Sequence, residues 1–378
     1  MKSDEALNNI LVMNDNPASE FEGSSEEDIF DSEDETGLLD NDPFVQFDWI
    51  GGQLCTLLKT CTMDQLYETS FPVRSPIIQN FLMPGTYLLA GSAKTGKSFL
   101  VAQIGYCVST GTDLWGFKAD RGEVLYLALE DDLQRLQRRL YSMFDVNASA
   151  AFHLTVDAKK LTEGLDAQLE AFVQMHPNTK LIIIDTLQKI RDAAADKFSY
   201  ANDYEMISKL KAISNKHNLC ILIVHHVRKM SSEDPFNEIS GTNGLLGSAD
   251  GAIKMTRERF SNHATLDITG RDQPESKFSI TFDPERFLWE LDSVDTELWK
   301  TPPDPLLNSI CRIVDQNNPE WTGTASQLAE HIHSDLSPNV LTRKLNILSG
   351  RLFEEYHIRF KKGRSHDGRK IRFQYEKP

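Results

Sequence analysis

The sequence predicts an α/β fold: a mostly parallel twisted sheet with helices on both faces, a small basic C-terminal domain, and a disordered acidic N-terminal tail. Three observations predict it. Short β-branched runs alternate with helical patterns from about Phe44 to Trp299. A stiff stretch, Thr301-Pro302-Pro303-Asp304-Pro305, separates that body from three further helical patterns and two alternating runs. Charge is segregated: residues 1–45 hold fourteen acids and one lysine of a chain whose net charge is −16, whereas 341–378 hold eleven bases and four acids. The expected domains are therefore a tail over 1–43, an α/β body over 44–300, a linker over 301–305 and a basic domain over 306–378.

The tail carries Asn, Ser and Gly between its charges and has no sustained period, so it buries too little apolar surface to offset chain entropy. In the body, Thr86–Ala90, Val124–Leu129, Leu181–Ile184 and Cys220–Val224 read as core strands. Tyr204, Ile207, Leu210 and Ile213 recur at spacing three and predict an amphipathic helix between the last two. Ala252–Met255, Ala264–Ile268 and Phe278–Phe282 extend the sheet at an edge. No apolar run approaches the roughly 18 residues of a membrane span, and no basic-then-apolar leader opens the chain. The five cysteines lack CxxC spacing, which argues against a disulfide framework or a cysteine-built zinc site. A cytoplasmic protein without a membrane partner is expected.

Gly91-Ser92-Ala93-Lys94-Thr95-Gly96-Lys97-Ser98 fits the phosphate-binding pattern GxxxxGK[ST], after an apolar strand and before a helical pattern, Ser98–Val108. Glycines let backbone N–H groups converge on a β-phosphate at the positive end of a helix. Lys97 is expected to bridge β- and γ-oxygens, and Ser98 to ligate Mg2+. With Phe99, these eight residues form the expected ATP-contacting set. The plain alternative is a glycine-rich turn before an ordinary helix.

Phosphoryl transfer also needs a metal-organising acid and a water activator. Leu181–Ile184 ends in Asp185, a second expected Mg2+ ligand, and Val124–Leu129 ends in Glu130-Asp131. If both strands flank the loop strand, Glu130 can polarise a water in line with the γ-phosphate. Each acid alone reads equally well as a solvated strand end.

An acid on the strand after the phosphate-loop helix, with Asp185 arriving later, resembles the RecA-like ATPases. Within these, Gly91–Ser98, Leu127–Asp132 with Arg138 and Arg139, Ile184–Leu187, Val224–Lys229, Gly241–Asp250 and Gly270–Asp272 resemble RepA-like and DnaB-type hexameric helicases. The resemblance covers roughly residues 60–290. It implies that His226 senses the γ-phosphate, with His225 as the weaker candidate. It also implies that the segment containing Gly244 tracks single-stranded DNA in a central channel, and that Arg271 reaches a neighbouring subunit's nucleotide in a homo-oligomer, a hexamer by analogy. Arg228 and Lys229 are rivals for that last role, and a surface salt bridge is the plain reading of Arg271. No primase module and no folded loader-binding domain is expected upstream, and other replication proteins are possible partners.

Beyond the linker, helices over Leu306–Val314, Thr324–Ile332 and Asn339–Leu348 precede an alternating hairpin, Ile358–Lys362 and Lys370–Tyr375. Val340, Leu341, Leu345 and Leu348 are expected on one buried face. The pattern resembles a winged helix, with Asn339, Arg343 and Lys344 facing a major groove and Lys361, Lys362, Arg364, Arg369 and Lys370 on duplex phosphates. A protein-docking domain of the same shape is the alternative. Two functions compete: an ATP-driven helicase acting in replication, and a DNA-bound regulatory ATPase switch that does not unwind.

Overall fold

The computed structural model describes residues 29–30, 47–50, 53–56, 60–69, 71, 74–191, 200–227, 244–271, 273–296, 303–365 and 368–377. Two compact units divide the chain: Met1–Phe71 with Pro305–Pro378, and Pro72–Asp304. Residues 44–71, assigned by composition to the α/β body, group instead with the C-terminal unit.

The N-terminal part of the first unit comprises β1 (Ile29–Phe30), the antiparallel pair β2 (Phe47–Ile50) and β3 (Gln53–Thr56), and α1 (Met63–Glu68). A capping box starts α1: Gln65 N donates to the Thr62 hydroxyl at 3.2 Å, and Thr62 N to the Gln65 side chain at 2.8 Å.

The second unit opens with β4 (Gly85–Gly91), α2 (Lys97–Thr110), β5 (Glu123–Ala128), α3 (Leu133–Phe144) and β6 (Phe152–Thr155). Then come α4 (Leu165–Met175), β7 (Thr179–Asp185), α5 (Leu187–Ile190), α6 (Tyr200–His217) and β8 (Cys220–His226). It closes with α7 (Gly244–Ser248), β9 (Gly251–Arg257), β10 (His263–Gly270), β11 (Ser276–Asp283) and β12 (Leu288–Thr296). The nine strands run in the order β12-β11-β10-β9-β4-β8-β7-β5-β6; β9 through β6 are parallel, and β10, β11 and β12 add antiparallel. This is the mostly parallel sheet with helices on both faces that the sequence predicts.

Alternation along the buried strands builds two cores. Tyr87 and Leu89 of β4 pack with Leu100 and Ile104 of α2 on one face. Leu88 and Ala90 pack with Ile207 and Leu210 of α6 and Leu245 of α7 on the other. The buried stripe of α6 departs from the expected one: Ile207, Leu210 and Ile213 are inside, but Tyr204 is 49% exposed and Met206 is buried instead. Spacing of three drifts off a helical face of 3.6 residues per turn, so the first member leaves the stripe. Strands β6 and β12 were not expected; one is short and half-exposed, the other acidic on its outer face.

The first unit resumes with α8 (Pro305–Cys311), β13 (Glu320–Gly323), α9 (Ala325–His331), α10 (Pro338–Tyr356), β14 (Ile358–Ser365) and β15 (Gly368–Tyr375). The expected helix over 339–348 continues to Tyr356, where His357 caps it in the left-handed region at φ 57°. Its buried residues are Leu341, Leu345, Asn346 and Leu352, while Val340 is exposed and Leu348 only partly covered. Strands pair antiparallel in the order β1-β14-β15-β13, with Ile29 opposite Arg364 and Phe30 opposite Gly363. Within the segment expected to be disordered, β1 is thus a strand; the rest of that expectation, like residues 301–302 of the linker, lies outside the described residues.

Candidate active site

Sheet order sets the geometry of the site. β4 is flanked by β8 and β9, so the condition that β5 and β7 flank it is not met; β7 lies one strand further and β5 two. All four parallel strands β4, β8, β7 and β5 end on the same edge, where an open α/β sheet receives ligands. Their last residues, or the ones just beyond, are Gly91, His226, Asp185 and Glu130.

The loop from Gly91 to Ser98 joins β4 to α2. Gly96 caps the helix at φ 99°, and a Cβ there would meet Trp289 Cζ2 at 2.7 Å; at Gly91 it would meet the Met255 carbonyl oxygen at 2.6 Å. Both positions therefore exclude a side chain. Trp289 Nε1 donates to the Gly96 carbonyl at 3.3 Å, and Gln103 pins Trp289 through two 2.9 Å hydrogen bonds. Within the loop, Ala93 and Lys94 are exposed, Ser92 is half-buried, and the Thr95 hydroxyl donates to the Ser92 carbonyl at 3.0 Å. Phe99 points into an aromatic cluster, 5.4 Å from Phe282 and 5.9 Å from Phe287, with the Arg139 guanidinium over its ring.

Lys97 is 3% exposed, and its Nζ donates to the carbonyls of Gly91 and Ser92 at 2.8 Å each. Burial lowers its pKa to about 8, against the opposing pull of the Asp185 and Glu130 carboxylates. Asp185, 5% exposed, accepts hydrogen bonds from Ser98 and, at 3.1 Å, from the Tyr126 hydroxyl. Burial raises its pKa, while those two hydrogen bonds work the other way. Glu130 accepts from Thr186 Oγ1 at 3.1 Å, and its other oxygen lies 3.6 Å from His226 Nε2. Lys97, Ser98, Asp185, Glu130 and His226 thus converge. His225 is half-buried, and it is the exposed His226 that faces Glu130.

The donor set fits Mg2+ and a nucleoside triphosphate. Ser98 and Asp185 offer hard oxygens for the cation. The loop excludes side chains where phosphate must approach, and Lys97 rests on carbonyls it can exchange for phosphate oxygens.

Arg271 is exposed, and its guanidinium donates to the Gly247 carbonyl at 3.3 Å. Gly244 opens α7; Arg228, Lys229 and residues 241–243 lie outside the described residues. In the C-terminal unit, Lys344 is exposed, Lys361 and Lys362 are half-buried on β14, and Arg364 pairs with Arg369 across the β14–β15 hairpin. Arg343 departs from expectation. It does not stand free for a groove, because Asp64 (3.1 Å) and Glu68 (3.5 Å) of α1 hold it; Asn346 Nδ2 and Lys362 Nζ donate to the Tyr67 and Glu68 carbonyls at 2.8 and 2.9 Å.

Three site residues escaped the sequence reading: Tyr126, Thr186 and Trp289. Tyr126 looks like one more apolar strand residue, and Trp289 touches a loop 193 positions away. Thr186 directly follows Asp185, and its hydroxyl beside two carboxylates was the available signal.

Fold and site together give a mostly parallel α/β sheet whose carboxyl edge gathers a phosphate-binding loop, two carboxylates and a histidine. Residues 56–232 match the family described as "AAA domain". No curated protein matches the chain. Among solved structures, a DnaB-like replicative helicase is similar at 14% identity and TM-score 0.45, over 55% of this chain and 57% of that one. A KaiC-like protein from the archaeon Pyrococcus horikoshii OT3 is similar at 16% identity and TM-score 0.42, over 59% of this chain and all of that one. The RadB recombinase is similar at 16% identity and TM-score 0.41, over 56% of this chain and 91% of that one.

Proposed function

We propose that the protein is an ATP-driven, ring-forming DNA helicase acting in replication. The observation that carries this reading is the 3.6 Å approach of His226 to Glu130, at the mouth of a loop closed by Lys97, Ser98 and Asp185. An exposed histidine beside the water-activating acid, at the end of β8, links hydrolysis to the segment that follows. That segment ends in α7, whose Gly247 carbonyl holds Arg271.

In this reading ATP with Mg2+ supplies the phosphoanhydride and neutralises its charge. Lys97 exchanges its loop carbonyls for β- and γ-oxygens. Ser98 and Asp185 orient the cation, with Tyr126 fixing the Asp185 carboxylate. Glu130 draws a proton from water, and Thr186 fixes the rotamer of that carboxylate. His226 reports the γ-phosphate to the DNA-facing segment around Gly244. Arg271 serves a neighbouring subunit's site in a homo-hexamer. The C-terminal unit, with helices and strands in the order α-β-α-α-β-β, is read as a winged helix whose Lys361, Lys362 and Arg364 meet duplex phosphates.

The ion pairs of Arg343 with Asp64 and Glu68 favour a second reading, a DNA-bound ATPase switch whose DNA face is covered until α1 moves. Strand displacement by the purified protein, measured beside ATPase stimulation by single-stranded DNA, separates the two. The helicase unwinds and is stimulated; the switch is stimulated by DNA but leaves duplex intact.

A further inference from the structure

At the opposite end of the sheet from the phosphate loop, three side chains from three elements meet. Glu123 opens β5, His153 lies on edge strand β6 opposite Leu125, and His176 caps the C-terminus of α4. His176 Nδ1 is 3.1 Å from one Glu123 oxygen, and His153 Nε2 is 3.7 Å from the other. One ligand atom from each residue lies within 4.8 Å of those of the other two. We propose that Glu123, His153 and His176 form a binding site for a divalent transition-metal ion, with zinc as its preferred occupant.

Geometry supports the ion. Tetrahedral zinc with bonds of about 2.0–2.1 Å to nitrogen and oxygen spaces its ligand atoms about 3.3 Å apart. The 3.1 and 3.7 Å separations, which run to the two different oxygens of Glu123, lie near that value, and one ligand atom per residue stays within 4.8 Å of the others. A second, independent observation points the same way. His153 Nε2 is sealed from solvent and makes no hydrogen bond, an expensive condition for an imidazole nitrogen aimed at a carboxylate. A metal ion satisfies it. Two imidazoles and one carboxylate suit zinc better than magnesium or calcium, which take oxygen ligands, or copper(I), which takes sulfur. Phe172 braces both rings, 5.2 Å from His153 and 4.4 Å from His176. The side chains are each about a quarter exposed, so an ion can enter and water can complete the coordination.

The site lies a full strand from the chemistry. Glu123 and Glu130 bracket β5, some 20 Å apart at the ordinary rise per residue. The ion's role is therefore to tie edge strand β6 to α4, and the cysteine pattern carried no sign of it because no cysteine takes part.

The test uses the full-length protein, stripped by a chelator and titrated with zinc chloride alone, then with cobalt(II) chloride as a spectroscopic stand-in. One equivalent of zinc per chain, a raised Tm, and a cobalt spectrum of four-coordinate intensity are expected. His153→Gln and His176→Gln should each weaken zinc binding by roughly tenfold or more while leaving ATPase turnover unchanged. No zinc uptake by the wild-type chain, a six-coordinate cobalt spectrum, or zinc binding by either variant as tight as that of wild type would each overturn the site. The wild-type titration stands even if a variant does not fold.

Discussion

If Lys97 takes phosphate oxygens as proposed, its burial makes a proton part of nucleotide binding. With its pKa lowered to about 8 by burial, the free loop above that pH holds a neutral amine. Triphosphate raises the pKa by adding negative charge, so binding takes up a proton and affinity falls as pH rises, by up to about tenfold per pH unit. Calorimetry between pH 7 and 9.5, in buffers of different ionisation heat, reads both the uptake and the loss. Lys97→Ala should abolish productive binding. Glu130→Gln should bind normally and lose about 10²- to 10⁴-fold in turnover; failure to bind ATP, or full turnover, would move the base to Asp131 or Asp132. Gly96→Ala should lose ATP binding, since its φ of 99° and the Trp289 ring both oppose a side chain. The loop was legible because its chemistry is contiguous in sequence. Tyr126 and Trp289 were not, because their roles exist only after β5, β7 and β12 have been assembled around it.

Among the elements, strands of the parallel sheet were legible because burial on both faces leaves unbroken apolar runs. Edge strand β6 is short and half-exposed, and β12 alternates with acids, so neither offered that signal. Helix α6 gives a direct check on the corrected face. Leu210→Ala should destabilise by about 2–5 kcal/mol, whereas Tyr204→Ala should cost less than about 1 kcal/mol, as read by urea denaturation. The α1–α10 contact could not be read from either helix alone, since Asp64 and Glu68 look like ordinary surface acids. If α10 and the β14–β15 hairpin bind duplex DNA, a double Asp64→Lys, Glu68→Lys variant should bind duplex more tightly than wild type at low salt. The gain should shrink as salt screens the added charge. Unchanged affinity would favour the protein-docking reading of this unit.

For the whole molecule, the charge segregation was legible and its partner was not. Ile29 and Phe30, which sit between acids in sequence, pair with Arg364 and Gly363 of β14. Removing residues 1–43 should raise DNA affinity at low salt and have little effect at high salt; equal affinity at low salt would leave the segment without a role on DNA. If Arg271 serves a neighbour, mixing Arg271→Ala with Lys97→Ala subunits should restore some turnover that neither has alone, because one composite site is intact. Activity should also rise with protein concentration through the assembly range. A fully active monomer would overturn both. The antiparallel extension of the sheet has a practical consequence as well. It carries the indole of Trp289, 1% exposed, onto the carbonyl of Gly96. If nucleotide fills the loop as proposed, it changes the polarity and hydrogen bonding around that ring, which makes Trp289 a fluorophore built into the loop. Its emission should report occupancy without any attached dye, and a Trp289→Phe variant would identify the signal among the chain's five tryptophans.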